Sequence, residues 1–248
     1  NDVIRNILAN EYKGKLYLVN PKAGASMGIR AYSSIAGLPE GIDLAIVILP
    51  AGANPQAIRE CAARGIKAIV LAAGGFSEVD EKGEELQKEL IRVIGETGVR
   101  VIGPNTSGHT STPHNFTSSF FPPGKIPRGN ISYIAQTGNF ATHTMKYIST
   151  GENFGVARVV GFGNKVDVEE SEVLEYLAND PETKAIFVYL ESLKKPKQFL
   201  KIAGAVTRKK PMVLLKGGAT AEGARAAVAH TAAMASQDRV IDGALRQA

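Results

Sequence analysis

The chain lacks tryptophan, has a single cysteine, and is only 6% aromatic over its 248 residues. One cysteine, Cys61, excludes an internal disulfide, and no Cys/His grouping has zinc-ligand spacing. Cys61 lies in IRECAARGIK, a helical pattern, and reads as a small core residue. No apolar run reaches the roughly 20 residues that a membrane span needs. No signal-peptide pattern appears either, which leaves the cytoplasm as the expected compartment and no membrane partner. The net charge of +5 suits an anionic ligand. Its basic residues are scattered, with no arginine-rich or aromatic-interleaved stripe, so nucleic acid is not the expected partner. A GxGxxG turn is missing, and so is any fixed-period repeat.

What is present points to an α/β protein. Hydrophobic residues make up 44% and glycines number 26, enough for a sizeable core joined by tight turns. Four continuously apolar runs, KLYLVN (Lys15 to Asn20), DLAIVILP (Asp43 to Pro50), KAIVLAA (Lys67 to Ala73) and RVIG (Arg100 to Gly103), read as strands buried on both faces. Amphipathic helical patterns separate them. The segment FFPPGKIPRGN (Phe120 to Asn130), with three prolines and two glycines, then breaks the alternation and marks a domain boundary. The pattern restarts with strands at Asn130 to Gln136, Ala157 to Gly163, Ala185 to Glu191 and Pro211 to Gly217, with helices between. Two consecutive parallel, doubly wound units are predicted, over residues 1–122 and 123–248. Both ends read as interrupted helices, so the chain is expected to be a piece of a longer polypeptide or a processed product.

Ligands in such sheets sit beyond the carboxyl ends of the strands. VNPKAG follows the first strand, where Lys22 can meet a phosphate; a solvated lysine on an ordinary loop is the alternative. ILPAGAN, AAGGFSE and GPNTSG follow the next three. In AQTGNFATHTMKY, Thr137, Gly138 and Asn139 fall at a helix start, where backbone N–H groups and the helix dipole favour an anion. A simple N-cap reads as well there. Glu191 ends the strand in YLES, where it can orient an imidazole or stand as a solvated loop glutamate. His230 lies in the small-residue run KGGATAEGARAAVAHTAAMAS; it is a competent phosphoryl acceptor, or an incidental member of an Ala-rich helix. His109, His114 and His143 lack partner patterns and read as structural or solvated.

Taken in order, VNPK, GPNTSG, AQTG, GFGNKVDVEESEVLEYLANDPETKAIFVYLES, KPMVLLKGG and HT make the whole chain resemble ADP-forming acetyl-CoA synthetases and, more distantly, the alpha subunit of succinyl-CoA synthetase. The resemblance implies a CoA-binding Rossmann-like domain without its first βα unit, followed by a flavodoxin-like ligase domain. It implies a reversible acid–CoA ligase (NDP-forming, with ADP) that works through an acyl phosphate and a phosphohistidine. His230 matches the histidine that carries the phosphoryl group, and Glu191 matches the carboxylate that orients it. Thr137, Gly138 and Asn139 match the phosphate-holding turn; Pro21, Lys22, Pro50 and Asn105 match positions along the CoA site. Coenzyme A and a carboxylic acid are the implied ligands. ATP or ADP with Mg²⁺ would bind an ATP-grasp domain or subunit that this sequence does not contain, within an oligomer; no metal site is implied here. Some positions depart from the family pattern: Thr137 for Ser, Thr106 for Cys, and Ala232 and Ser236 for glycines in the histidine loop. A non-catalytic CoA-sensing module, as in acetyltransferases with a ligase-like region, is the competing reading. An NAD-dependent dehydrogenase is disfavoured, because VNPK puts a lysine where an acidic ribose ligand is needed.

Overall fold

The structure, a computed structural model, describes residues 2–22, 24–121, 124–151 and 154–218. An opening helix α1 (Asp2–Ala9) buries Val3 and Ile7 on one face. Just beyond them, buried Asn6 and Asn10 tie the helix to the Pro-rich linker. Asn6 Nδ2 donates to the Ser119 carbonyl (3.1 Å), and Asn10 Oδ1 accepts from Ile126 N (3.0 Å). The strands that follow are short: β1 (Leu18–Val19), β2 (Ala25–Ser26) and β3 (Ile29–Tyr32) form a small sheet of order β1-β3-β2. A second sheet is all parallel, with β4 (Leu44–Val47), β5 (Ala68–Leu71) and β6 (Arg100–Ile102) in that order. An apolar cleft of about 1470 Å³ lies along β1 and β4, lined by Val3, Ile7, Leu18, Leu44 and Ile46.

Helices α2 (Asn54–Ala63) and α3 (Glu81–Thr97) cross over between the parallel strands. Their ends follow local chemistry. Asp80 caps α3 by accepting from Gly83 N (2.8 Å), and Gly98 terminates it in the left-handed region at φ 69°. Ile58, Cys61, Ile69, Leu71, Leu90 and Val101 meet in one core. Burial also pushes the Cys61 thiol up to about 11, as befits a packing residue.

The next two strands, β7 (His109–Ser111) and β8 (Phe116–Thr117), fall on the N-terminal side of the Pro-rich linker. They do not join the sheet of β4 to β6. Instead β7 pairs antiparallel with β10 (Val156–Gly161), and β8 with β7. The resulting sheet has six strands, ordered β12-β11-β9-β10-β7-β8, where β9 is Arg128–Ala135, β11 is Ala185–Leu190 and β12 is Met212–Lys216. Strands β9 to β12 are parallel, as the apolar runs predicted; the antiparallel pair makes the sheet mixed. Helix α4 (Gly138–Gly151) covers one face, and α5 (Glu170–Asn179) with α6 (Pro196–Thr207) covers the other. Alternation along β9 shows the two faces: Tyr133 and Ala135 pack under α4, while Ile134 packs under α5 and α6. Among the described residues no helix is long and apolar enough to cross a membrane.

Candidate active site

Parallel strands β9, β10 and β11 bring three loops together at their carboxyl ends, and Gln136 is the hub. Its Oε1 accepts from Glu191 N (2.9 Å), from Ser192 N (2.9 Å) and from Lys165 Nζ (3.2 Å). Its Nε2 donates to Ser192 Oγ (2.9 Å), and its own backbone N–H donates to the Tyr189 carbonyl (3.0 Å). A polar residue at the end of the apolar run NISYIA is thus what joins the Thr137–Asn139 turn to YLES.

The turn itself follows at once. Thr137 is buried, and its carbonyl accepts from Ala141 N (3.2 Å), the first bond of α4. Gly138 and Asn139 therefore open the helix, where first-turn N–H groups lack intrahelical partners and suit an anion. A Cβ on Gly138 would lie 3.4 Å from the Ser107 Cβ. Ser107 belongs to GPNTSG, so a loop of the first half closes against this helix start. Thr106 holds that loop down, its Oγ1 donating to the Gly161 carbonyl (2.7 Å) and accepting from Gly108 N (3.0 Å).

Glu191 sits at the end of β11 with 8% exposure. Its Oε1 accepts weakly from the Tyr189 hydroxyl (3.4 Å), while its Oε2 is buried without a hydrogen-bond partner among the described residues. A buried carboxylate oxygen in that state is costly and calls for an explanation, as do Asn54 Oδ1, Glu169 Oε1, Glu170 Oε2 and Ser171 Oγ, which also lack a hydrogen-bond partner among the described residues. Burial, and then the Glu191 charge, raise the Tyr189 hydroxyl above its ordinary value. Gly217 follows β12, and a Cβ there would come within 2.7 Å of the Tyr189 hydroxyl oxygen and 3.3 Å of Glu191 Cγ. The glycine lets the chain leave the sheet directly beside Glu191. His230 lies further along, outside the described residues.

The first half contributes a looser set of groups. Pro21 and Lys22 stand exposed after β1, where Lys22 N donates to Asn20 Oδ1 (2.9 Å). Pro50 is exposed after β4, and its carbonyl accepts from Ala53 N (2.9 Å). The adjacent loop after β5 touches this turn: a Cβ on Gly75 would lie 3.2 Å from the Ala51 Cβ. Asn105 is in the left-handed region at φ 58° and lies beside Gly74, whose added Cβ would be 3.2 Å from Asn105 Oδ1. Pro50 and Asn105 are therefore linked through the glycine loop, while Pro21 and Lys22 belong to the separate small sheet.

A polar seam joins the halves. Asn164 Nδ2 donates to Glu78 Oε2 (2.6 Å) and Gln87 Oε1 (2.9 Å). Burial raises the Glu78 carboxyl, but the bonds from Asn164 and from the Gly75 and Phe76 N–H groups outweigh it, and the net shift is downward. Beside it, Asn164 N, Val166 N and Val168 N donate to the carbonyls of Pro104, Gly103 and Val101. Gln136, Lys165, Asn164, Glu78 and Ser107 were not singled out by sequence reasoning. They lie in the segments AAGGFSE, GPNTSG, AQTG and GFGNKV already noted, but within those segments nothing set them apart from other polar residues at strand ends.

Comparison with known proteins agrees with this architecture. Residues 1–111 match the model of a CoA binding domain, and residues 128–248 match the succinyl-CoA ligase like flavodoxin domain. The chain is 39% identical over its full length to acetate–CoA ligase [ADP-forming] II of Archaeoglobus fulgidus, covering 37% of that protein. It is 32% identical over 99% of its length to the acetate–CoA ligase [ADP-forming] I subunit alpha of Pyrococcus furiosus, covering 54% of it. A solved structure of the dinucleotide forming acetyl-coenzyme A synthetase 1 of Ca. Korarchaeum cryptofilum, in complex with phosphate and ADP, superposes with a TM-score of 0.93 at 33% identity. That match covers 99% of this chain and 53% of the other. The chain thus spans about half the length, or less, of the relatives it matches.

Proposed function

We propose, for a chain that belongs to the ADP-forming acyl-CoA synthetases and carries their CoA-binding and flavodoxin-like ligase domains, that it performs the acyl-transfer half of a reversible acid–CoA ligase reaction. In one direction, phosphate attacks the thioester carbonyl of acyl-CoA, the C–S bond breaks, and acyl phosphate and CoA result. The phosphoryl group then passes to an imidazole nitrogen of His230, releasing the free acid. A second transfer, to ADP on an ATP-grasp domain or subunit outside this sequence, yields ATP. Mg²⁺ would come with that nucleotide.

Each role has a physical basis. The N-terminus of α4 offers backbone N–H donors to the phosphate without a fixed counter-charge, so the bound group can leave again. CoA would approach along the first-half loops, with Lys22, Pro50 and Asn105 facing its polar portions. The observation that carries the reading is Glu191 Oε2, buried and without a hydrogen-bond partner among the described residues, beside the Gln136–Gly138 turn. A carboxylate held there fixes the tautomer of an incoming imidazole and stabilises it once charged. Labelling with γ-³²P-ATP in the presence of the nucleotide-binding portion tests the reading. The wild-type chain should take up label, His230→Ala none, and Glu191→Gln about a hundredfold more slowly. Undiminished label in His230→Ala would overturn the reading.

A further inference from the structure

Lys165 is buried at 3% exposure and holds a left-handed backbone at φ 54°, a conformation that costs a non-glycine residue. Its ammonium group has three donors; two hydrogen-bond to the protein, and a buried carboxylate lies within ion-pair range. Lys165 Nζ lies 2.9 Å from Glu170 Oε2, donates to the Ser192 carbonyl at 2.8 Å, and donates to Gln136 Oε1 at 3.2 Å. The three partners belong to the loops after β9 and β11 and to the start of α5, so one cation gathers all of them.

The consequence falls on Gln136. A side-chain amide can flip, exchanging oxygen and NH₂. Flipped, Gln136 would aim its NH₂ at an ammonium and at the N–H groups of Glu191 and Ser192, donors facing donors. The two backbone N–H groups already disfavour the flip, and the buried ammonium adds a third, charged donor against it; the orientation kept leaves Nε2 to fix the Ser192 hydroxyl. The geometry points to Lys165 as a positioning residue that locks the Gln136 amide, and through it holds the Glu191 carboxylate and the Thr137–Gly138 phosphate turn in one fixed relation. A simple structural ion pair would be complete with Glu170 alone. The bonds to Gln136 and Ser192 are what such a pair does not require.

This role rests on the ligase reading above, and its test separates the two. In the complete synthetase, Lys165→Met combined with Glu170→Gln removes both charges together, so neither is stranded. Expected are an unchanged melting temperature to within a few degrees, an unchanged KM for CoA, a raised KM for phosphate, and phosphohistidine formation slowed by about 10²-fold through lost alignment. Gln136→Met should show the same kinetic signature, and the combined variant should lose little more, because the residues act as a unit. Wild-type phosphate KM and labelling rate in a folded Lys165→Met/Glu170→Gln enzyme would overturn the role. Should that variant fail to fold, Lys165→Arg keeps a charge for Glu170 and displaces the point contact with Gln136. A raised phosphate KM then supports the role, and an unchanged one refutes it. His230→Ala run in parallel reports on the premise. If it labels like wild type, the ligase reading fails and the positioning role falls with it. If only the Lys165 variants match wild type, the positioning role alone fails.

Discussion

The turns after β1 and β4 in the first half and the turns around Gln136 in the second are built in opposite ways. In the first half, Pro21, Lys22 and Pro50 are exposed, and the polar contacts of Lys22 and Pro50 are with residues two or three positions away. In the second half, Gln136, Lys165 and Glu191 are buried and bonded across 27 to 56 residues of sequence. The first arrangement suits a surface on which a large, solvated ligand lies down. The second suits a site whose geometry is set before anything binds. Stability should therefore depend on the second set and barely on the first, even where both matter to activity.

The largest effect should come from Gln136→Leu. It leaves the N–H groups of Glu191 and Ser192 without their buried acceptor and takes one acceptor from Lys165, and should destabilise the fold by about 3–5 kcal/mol in urea titrations, with phosphoryl uptake slowed as in Gln136→Met. Next comes the seam between the halves. Gly163 holds φ 64°, and an added Cβ would collide with the Pro104 carbonyl. Gly163→Ala should cost about 1–3 kcal/mol and lower phosphoryl uptake, because the Asn105 and Asn164 loops must separate. If either variant proves as stable as wild type, the contrast drawn here is wrong.

Acid should sharpen the comparison by probing different groups in different windows. Burial pulls the His109 imidazole from 6.5 down to about 4 in the folded chain. The unfolded chain then binds the proton first as pH falls. Stability from this group is complete above about pH 6.5 and lost between there and pH 4. Glu78 has a depressed carboxyl, so its contribution is present above its ordinary value of 4.5 and lost below it. Melting temperature followed from pH 7 to pH 5 should fall, and His109→Gln should flatten that limb while leaving the more acid one. The smallest stability effect should be Lys22→Ala. Its unfolding free energy should stay within about 0.5 kcal/mol of wild type, while CoA affinity drops about tenfold, read by calorimetry. A large stability loss there would erase the distinction between the halves.

Much of this was legible in the sequence, and the reasons for the remainder are physical. The apolar runs KAIVLAA, NISYIAQ and AIFVYLE announce buried parallel strands because both faces of such strands need apolar side chains. Glu191 and the Thr137 turn were singled out because strand ends in these sheets are where chemistry collects, and both do follow parallel strands, β11 and β9. The strand β7 was not: HTS is short and polar, and only its register against Arg158, Val159 and Val160 makes it a strand. His109 and His114 accordingly read as loop residues, whereas the structure puts His109 in β7, and His114 bonds to Ser111 and Arg158. The network of Gln136, Lys165 and Ser192 leaves no periodic trace, since its members meet only through the crossover of β9, β10 and β11. His230 was singled out by resemblance, and its neighbours Ala232 and Ser236 share its place outside the described residues.

The β7–β8 hairpin bears on how such proteins can be recombined. Its residues precede the Pro-rich linker, yet they complete the edge of the other half's sheet beside β10. A chimera of two relatives spliced at the linker would inherit one parent's edge strands against the other parent's β10. Moving the crossover to before Gly108 keeps the hairpin with the sheet it finishes. The seamless unit of exchange in this architecture therefore begins inside what sequence order assigns to the first half.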